Sequence, residues 1–307
     1  MSDFQLKTPV AFIIFNRPDT TKRVFAEIAK ARPPKLLVIA DGPRANRPDD
    51  TEKCAAARAI IDNVDWDCKV LTNYSDVNLG CKRRVSSGLD WVFDTVDEAI
   101  ILEDDCLPHP TFFRFCEEML GRYRDDKRVM HISGTNILTK NLKSNSYCFS
   151  KHMGVWGWCT WKRAWNLYDS SIKFWPTIRK SKLFSIRNIE INGGTYRQIY
   201  DDVYNDKIDT WDHQWQLCVT LHGLAIFPCV NLIYNCGFGE NATHTTNKRD
   251  HRANLKFGEL VFPLKHPDYY IIDEIDGKSN KQIMINMTKY CFFLIKRYLN
   301  LLKSKIY

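Results

Sequence analysis

Three consecutive acids, Glu103-Asp104-Asp105, follow directly on the apolar run Ala99 to Leu102. Adjacent carboxylates repel one another unless a cation or hydrogen-bond donors lie among them. A hard divalent ion commonly bridges one or two carboxylates to substrate phosphates. The triplet therefore reads as a metal and phosphate site, or as an acidic turn capping the helix expected near Pro110, since acids favour helix N-termini. Another acid, Asp212, stands in Asp209-Thr-Trp-Asp-His-Gln-Trp-Gln216. With Thr210 as N-cap, Asp212 falls in the first helical turn. There it complements the helix dipole, or acts as a general base between Trp211 and Trp215 and takes a proton from an incoming hydroxyl. The segment Gly154-Val-Trp-Gly-Trp-Cys-Thr-Trp161 is dense in aromatics. It suits a packed core and also, as a loop, a wall on which sugar faces stack. A glycine- and asparagine-rich stretch from Asn235 to Thr245 contains His244, a structural histidine or part of a loop closing over a phosphate or metal.

The elements that position these residues alternate regularly. Strands are predicted at 9–16, 36–40, 67–73, 99–102, 129–133 and 225–231. Helices are predicted at 18–31, 50–64, 82–95 and 111–124, with a further helical run from Thr210 to Leu221. This order gives an α/β fold with a parallel sheet between helix layers. Ligands in such sheets collect beyond the carboxyl ends of the strands. The strand ends here carry Asn16-Arg17, Asp41-Gly42, Asn78 and the acid triplet, which describes a nucleotide-binding crevice. The chain has no G-x-G-x-x-G and no Walker-type glycine–lysine loop, which disfavours a dinucleotide dehydrogenase or a P-loop enzyme. A metal at the triplet would then supply the charge that the phosphates need.

At 307 residues the chain is long enough for one large domain or two modest ones. The formal charge of +8 lies largely at the C-terminus. After Asp276 no acid occurs, while Lys278, Lys281, Lys289, Lys296, Arg297, Lys303 and Lys305 follow. This is a tail property and excludes a dedicated nucleic-acid-binding domain. Met287, Tyr290, Leu294, Tyr298 and Leu301 follow helical spacing beside a stripe of Lys289, Lys296 and Lys303. A basic amphipathic helix is expected there, contacting an anionic membrane surface through residues 281–305, or packing on the domain or another protomer. Eleven cysteines without a C-x-x-C pair point to reduced, mostly structural thiols, no zinc and a cytoplasmic chain. The polar start and the short apolar run at Val10 to Phe15 do not form a secretory signal. No run reaches the length of a membrane span.

The segments PVAFIIFNRP, IADG, ILEDD followed by PTFFRFCEEML, GVWGWCTWKRAW, TWDHQW and the final glycine-rich loop lie in order over residues 8 to 246. In this order the chain resembles glycosyltransferases of the GT-A fold, within them the N-acetylglucosaminyltransferase I branch and its bacterial relatives. The resemblance implies a Rossmann-like, mainly parallel sheet flanked by helices. It would comprise a nucleotide-sugar-binding half at 1–135, an acceptor-binding and catalytic half of the same domain at 136–250, and an extension at 251–307. It implies that Asp105 coordinates Mn2+ or Mg2+ on the donor diphosphate and that Glu103 and Asp104 contact the ribose or sugar. Asp41 would face the uracil, Arg17 would lie near the nucleotide, and His244 would belong to the loop ordering over the donor. Lys82 and Arg83 would meet the uridine or phosphates. Asp212 becomes the catalytic base, and Trp156, Trp158 and Trp211 the acceptor or sugar wall. The expected activity is metal-dependent, inverting transfer from a nucleotide-diphosphate sugar, UDP-linked, to a glycan or lipid-linked acceptor for a cell-surface polysaccharide. It would take place in the cytoplasm, peripherally at the inner membrane face. The alternatives are a catalytically silent glycan- or nucleotide-sugar-binding module and a sugar nucleotidyltransferase.

Overall fold

A computed structural model describes residues 4–136, 145–180, 190–191, 194–237, 255, 258–272 and 283–284. Five strands of the N-terminal half are β1 (Val10–Ile14), β2 (Lys35–Ala40), β3 (Lys69–Tyr74), β4 (Glu98–Glu103) and β5 (Cys106–Pro108). Between them run α1 (Pro18–Ala31), α2 (Asp50–Ala59) and α3 (Cys81–Thr95). Then come α4 (Thr111–Tyr123), β6 (Val129–Ser133), β7 (Tyr147–Ser150), β8 (Trp158–Trp161), α5 (Lys162–Trp165) and α6 (Trp175–Arg179). A small pair, β9 (Glu190–Ile191) and β10 (Gly194–Thr195), precedes α7 (Tyr196–Tyr204), α8 (Asp212–His222), β11 (Leu224–Pro228) and β12 (Ile233–Asn235). Two short strands, β13 (Ile271–Ile272) and β14 (Ile283–Met284), come last.

Ten strands form one sheet in the order β14-β13-β7-β11-β6-β8-β4-β1-β2-β3. The pairs β1–β2, β2–β3 and β1–β4 are parallel, as is β6–β11, while β8 runs antiparallel to both β4 and β6. The fold is therefore mixed α/β, with a large, mostly parallel central sheet flanked by helices. From β1 the sheet grows through β2 and β3 on one side and resumes with β4 on the other, a switch in strand order that opens a crevice at the carboxyl ends of β1 and β4.

Strict alternation along β1 explains the two core layers. Val10, Phe12 and Ile14 face a layer with Val24, Phe25 and Ile28 of α1 and with Phe112, Phe115 and Met119 of α4. Ala11 and Ile13 face the other layer, with Val85, Leu89 and Val92 of α3 and with Trp215 and Val219 of α8. Every side chain of β1 and β6 is buried, and fully burying one Val, Ile or Phe side chain contributes about 1.5–3 kcal/mol. Pro18 stands in the first turn of α1, where its fixed φ fits and no N–H is needed.

Three sequence expectations change. The tryptophan–glycine segment is not a loop throughout, because Trp158 to Trp161 form the buried strand β8. The expected strand at 225–231 is β11, ending at Pro228, with β12 following and pairing with β5. Within the run read as a basic amphipathic helix, Ile283–Met284 pair with β13 as a strand; the rest of that run lies outside the described residues. Among the described residues no helix is long and apolar enough to cross a membrane. No disulfide joins any of the ten described cysteines.

Candidate active site

The acid triplet forms where β4 ends beside β1. Ile13 is in register with Glu103, and the next free amide of the β1 end, Phe15 N–H, donates to Asp104 Oδ2 at 3.0 Å. Arg17, just ahead of α1, donates to Asp105 Oδ2 at 2.8 Å and lies 3.5 Å from Asp104 Oδ1. One guanidinium thus faces three carboxylates. Burial, reinforced by Asp105 and Asp104, pushes Glu103 well above the ordinary carboxylate range, and burial with Asp105 likewise raises Asp104. Gly237, on the strand exit after β12, lies against the triplet: a Cβ there would come 2.1 Å from Asp105 Oδ2.

These acids line a crevice of about 550 Å³. Phe15 and Arg17 from the β1 end, Asp41 from the β2 end and Trp156 share its walls. Asp41 is buried, and its carboxylate is fully engaged by the protein. Oδ1 accepts the Gly42 and Leu79 N–H groups at 2.9 Å, and Oδ2 accepts Asn78 Nδ2 at 3.0 Å and Gly80 N–H at 3.2 Å. With four donors on it, Asp41 organises the 78–80 turn at the crevice wall.

Lys82 and Arg83 are not among the crevice-lining residues. Lys82 Nζ pairs with Asp206 Oδ1 at 2.7 Å, and Arg83 points to solvent. The basic residues that do line it are Arg17, Arg44, Arg84 and Lys207. Arg84 is buried, donates to Asn73 Oδ1 at 2.9 Å, and has an Nε without a partner among the described residues. The helix phase could have revealed it: Arg84 lies four residues before Gly88, whose missing side chain leaves room for the guanidinium (a Cβ there would come 3.1 Å from it). Arg44 is held by the buried Asp50 and lies over the Phe15 ring, 5.4 Å from its centroid.

Asp212 stands in the first turn of α8 as expected, with Trp211 rather than Thr210 at the N-cap position. Its Oδ1 accepts the Thr210 hydroxyl in a short contact and the His213 N–H at 2.9 Å, while Oδ2 accepts no hydrogen bond among the described residues. Its charge reaches the crevice: burial, then Glu103, Asp212, Asp209 and Asp41, push the Cys81 thiol up, and Asp212 also acts on Glu103. Asp212 itself is not among the crevice-lining residues, although Glu103 and Cys81, on which its charge acts, both are.

Of the three tryptophans expected as a sugar wall, Trp156 alone lines the crevice. Trp158 is fully buried, stacked between Trp211 at 5.6 Å and His131 at 4.9 Å, and Trp211 is 3% exposed. Both belong to the core, because their ring faces are already covered by aromatic neighbours. His244 lies outside the described residues.

The triplet suits a divalent ion by its donor set of hard carboxylate oxygens, and two of its carboxyls, on Glu103 and Asp104, are pushed up in pKa by burial and by the neighbouring acids. Among the described residues no three His, Cys, Asp or Glu side chains converge on one metal position. A cation here would thus share its coordination between Asp105 and substrate oxygens.

No protein-family model matches the chain, and no curated protein matches its sequence. Several solved structures share part of its chain path, all at 9% identity. A UDP-glucose pyrophosphorylase complexed with UDP-glucose covers 75% of this chain and 94% of its own, with a TM-score of 0.39. The inositol-1-phosphate CTP transferase from T. maritima covers 73% and 86%, with a TM-score of 0.37. The 4-diphosphocytidyl-2C-methyl-D-erythritol synthase from Anaerococcus prevotii covers 66% and 84%, with a TM-score of 0.32.

Proposed function

We propose that the chain is a metal-dependent, inverting glycosyltransferase of GT-A type. It would move a sugar from a nucleotide-diphosphate donor, UDP-linked, to a glycan or lipid-linked acceptor of a cell-surface polysaccharide. The observation that supports this reading is the acid triplet and Arg17 at one crevice, with the charge of Asp212 acting on Glu103 there and one Asp212 oxygen accepting no hydrogen bond among the described residues. Asp105 would hold Mn2+ or Mg2+ together with the donor phosphates, and such an ion offsets the charge that develops on the departing diphosphate. Arg17 adds a fixed cation beside those phosphates. Asp212 accepts the proton of the acceptor hydroxyl as it attacks. A single base and a direct displacement from the face opposite the leaving group invert the anomeric centre. Trp156 offers a ring face to the sugar or acceptor.

The second reading is a sugar nucleotidyltransferase, which the names of the three solved structures favour. At their TM-scores the overlap ranks neither reading above the other. That chemistry joins a nucleoside triphosphate to a sugar phosphate and releases pyrophosphate. It usually calls for a glycine-rich basic loop after the first strand, where this chain has Phe15-Asn16-Arg17-Pro18. A silent binding module is the third reading.

The released product separates them. With Mn2+ and a panel of nucleotide sugars, a glycosyltransferase releases nucleoside diphosphate, to water slowly and to an acceptor faster. A nucleotidyltransferase releases pyrophosphate from a triphosphate, and a silent module releases neither.

A further inference from the structure

We propose that Asp209 is a positioning residue that fastens the base-bearing segment to the donor side of the crevice. The inference rests on the transferase reading for its catalytic consequence, though not for its structural one. Helix α3 begins at the crevice with no side-chain cap of its own. Its first amides are taken from the other half of the chain instead. Asp209 Oδ2 accepts Cys81 N–H at 3.0 Å and Oδ1 accepts Lys82 N–H at 2.9 Å. A carboxylate suits this position, where unpaired amides and the positive end of the helix dipole coincide.

The attachment runs on in both directions. On the donor side, α3 follows the 78–80 turn that the Asp41 carboxylate grips. On the base side, Thr210, the next residue after Asp209, holds Asp212 through its hydroxyl. A second tie, Lys82 to Asp206 at 2.7 Å, fixes the start of the same linker. Lys207, Ile208 and Asp209 themselves form part of the crevice wall. Gly80 closes the arrangement: its φ is +79°, and a Cβ there would come 2.8 Å from Asp209 Oδ2. A side chain at position 80 would therefore be strained and would also push the carboxylate off the amides.

Asp212 is thus referenced to Asp41 through one continuous path of turn, helix start, carboxylate and hydroxyl. Loss of Asp209 leaves the donor wall standing on Asp41 and releases the linker that aims Asp212. A misplacement of about 1 Å can cost about 10²-fold in rate.

The test compares intact wild type with Asp209→Ala, Asp209→Asn and Asp212→Asn. Amide hydrogen exchange over residues 205–213 is measured first, with nucleotide-sugar binding by calorimetry and nucleoside diphosphate release to water alongside. We expect Asp209→Ala to speed exchange in 205–213 while peptides of β1 and β2 stay protected. Donor affinity should stay within about threefold and kcat should fall about 10- to 100-fold, with Asp209→Asn between it and wild type because its amide oxygen still accepts one N–H. Unchanged exchange in 205–213 overturns the latch whatever the chemistry. So does a loss of donor affinity as large as the loss of kcat. A wild type that releases no diphosphate, with exchange in 205–213 still quickened by Asp209→Ala, refutes the transferase reading and leaves the latch standing.

Discussion

The buried carboxylate of Asp50 grips the guanidinium of Arg44, accepting Nε at 2.6 Å and Nη2 at 2.9 Å, and it also accepts Asn16 Nδ2 at 2.7 Å. It therefore ties the β1–α1 turn, which carries Arg17, to a basic residue at the crevice rim. Hydrogen bonds from Arg44 hold the Asp50 carboxyl far below the usual range, against its burial. A depressed carboxylate contributes stability that is present above its unfolded pKa of about 4 and is lost as pH falls below it. Asp50→Asn should flatten the acid side of the stability curve, measured as melting temperature from pH 6 down to pH 2. Arg44→Ala, which leaves the buried acid with Asn16 Nδ2 and the backbone N–H of residue 44, should cost about 1–3 kcal/mol, since hydrogen bonds to a charged group contribute roughly that much. An unchanged acid limb in Asp50→Asn would count against the pair.

Thr210 and Asp212 give a second prediction. Thr210→Val removes the hydroxyl that holds one carboxylate oxygen. Donor affinity should be unchanged and kcat should fall about tenfold, as expected when a base is present but poorly oriented. Asp212→Asn should retain donor binding and lower transfer by about 10²–10⁴-fold. Full turnover in that variant excludes Asp212 as the base.

The tryptophans can be told apart by stability. Trp158→Ala opens a cavity in a fully buried aromatic stack and should destabilise the protein by about 3–5 kcal/mol. Trp156→Ala, at the crevice wall, should cost far less stability and weaken sugar or acceptor binding. Chemical denaturation of the two variants beside a binding titration decides the matter. Equal destabilisation would remove the distinction.

His131 sits fully buried in β6, its Nδ1 accepting Trp215 Nε1–H at 3.0 Å, with Nε2 3.0 Å from the Gly154 carbonyl. These partners require the neutral ring with its proton on Nε2. Burial lowers its pKa to about 3. The unfolded chain takes up this proton near pH 6.5 and the folded chain does not, so stability is full above about pH 6.5 and declines as pH falls toward 3. Imidazole NMR at pH 5 should find His131 neutral. A protonated ring at that pH would refute the assignment.

Much of the N-terminal half was legible because strands buried on both faces are apolar at every position, as in Val10 to Ile14, and then stop at polar residues. The same rule applied to Trp158 to Trp161, yet tryptophan beside glycine also describes a binding wall, and the wall reading concealed a central strand. Arg84 was hidden for another reason. Lys82, Arg83 and Arg84 are chemically alike, and helix phase alone sends one to an ion pair, one to solvent and one into the crevice. Asp209 could not be read at all, since the amides it meets lie 127 and 128 residues away. Asp41 was found as a crevice residue, but the turn that fills its carboxylate depends on the close approach of Gly42 to the Val77 backbone, where a Cβ would come 2.5 Å from it.

The place of β8 has a consequence for how the chain is made. It enters between β4 and β6, antiparallel to both, after α4, β6 and β7 have already been synthesised. Until Trp158 to Trp161 leave the ribosome, Ile100 and Ile101 of β4 have no partner strand on that side. An apolar strand with a bare edge is a template for mispairing with other chains. The nascent protein should therefore be held by chaperones through this interval, and a chain cut short before Trp158 should aggregate even though β1 to β4 and their helices are complete.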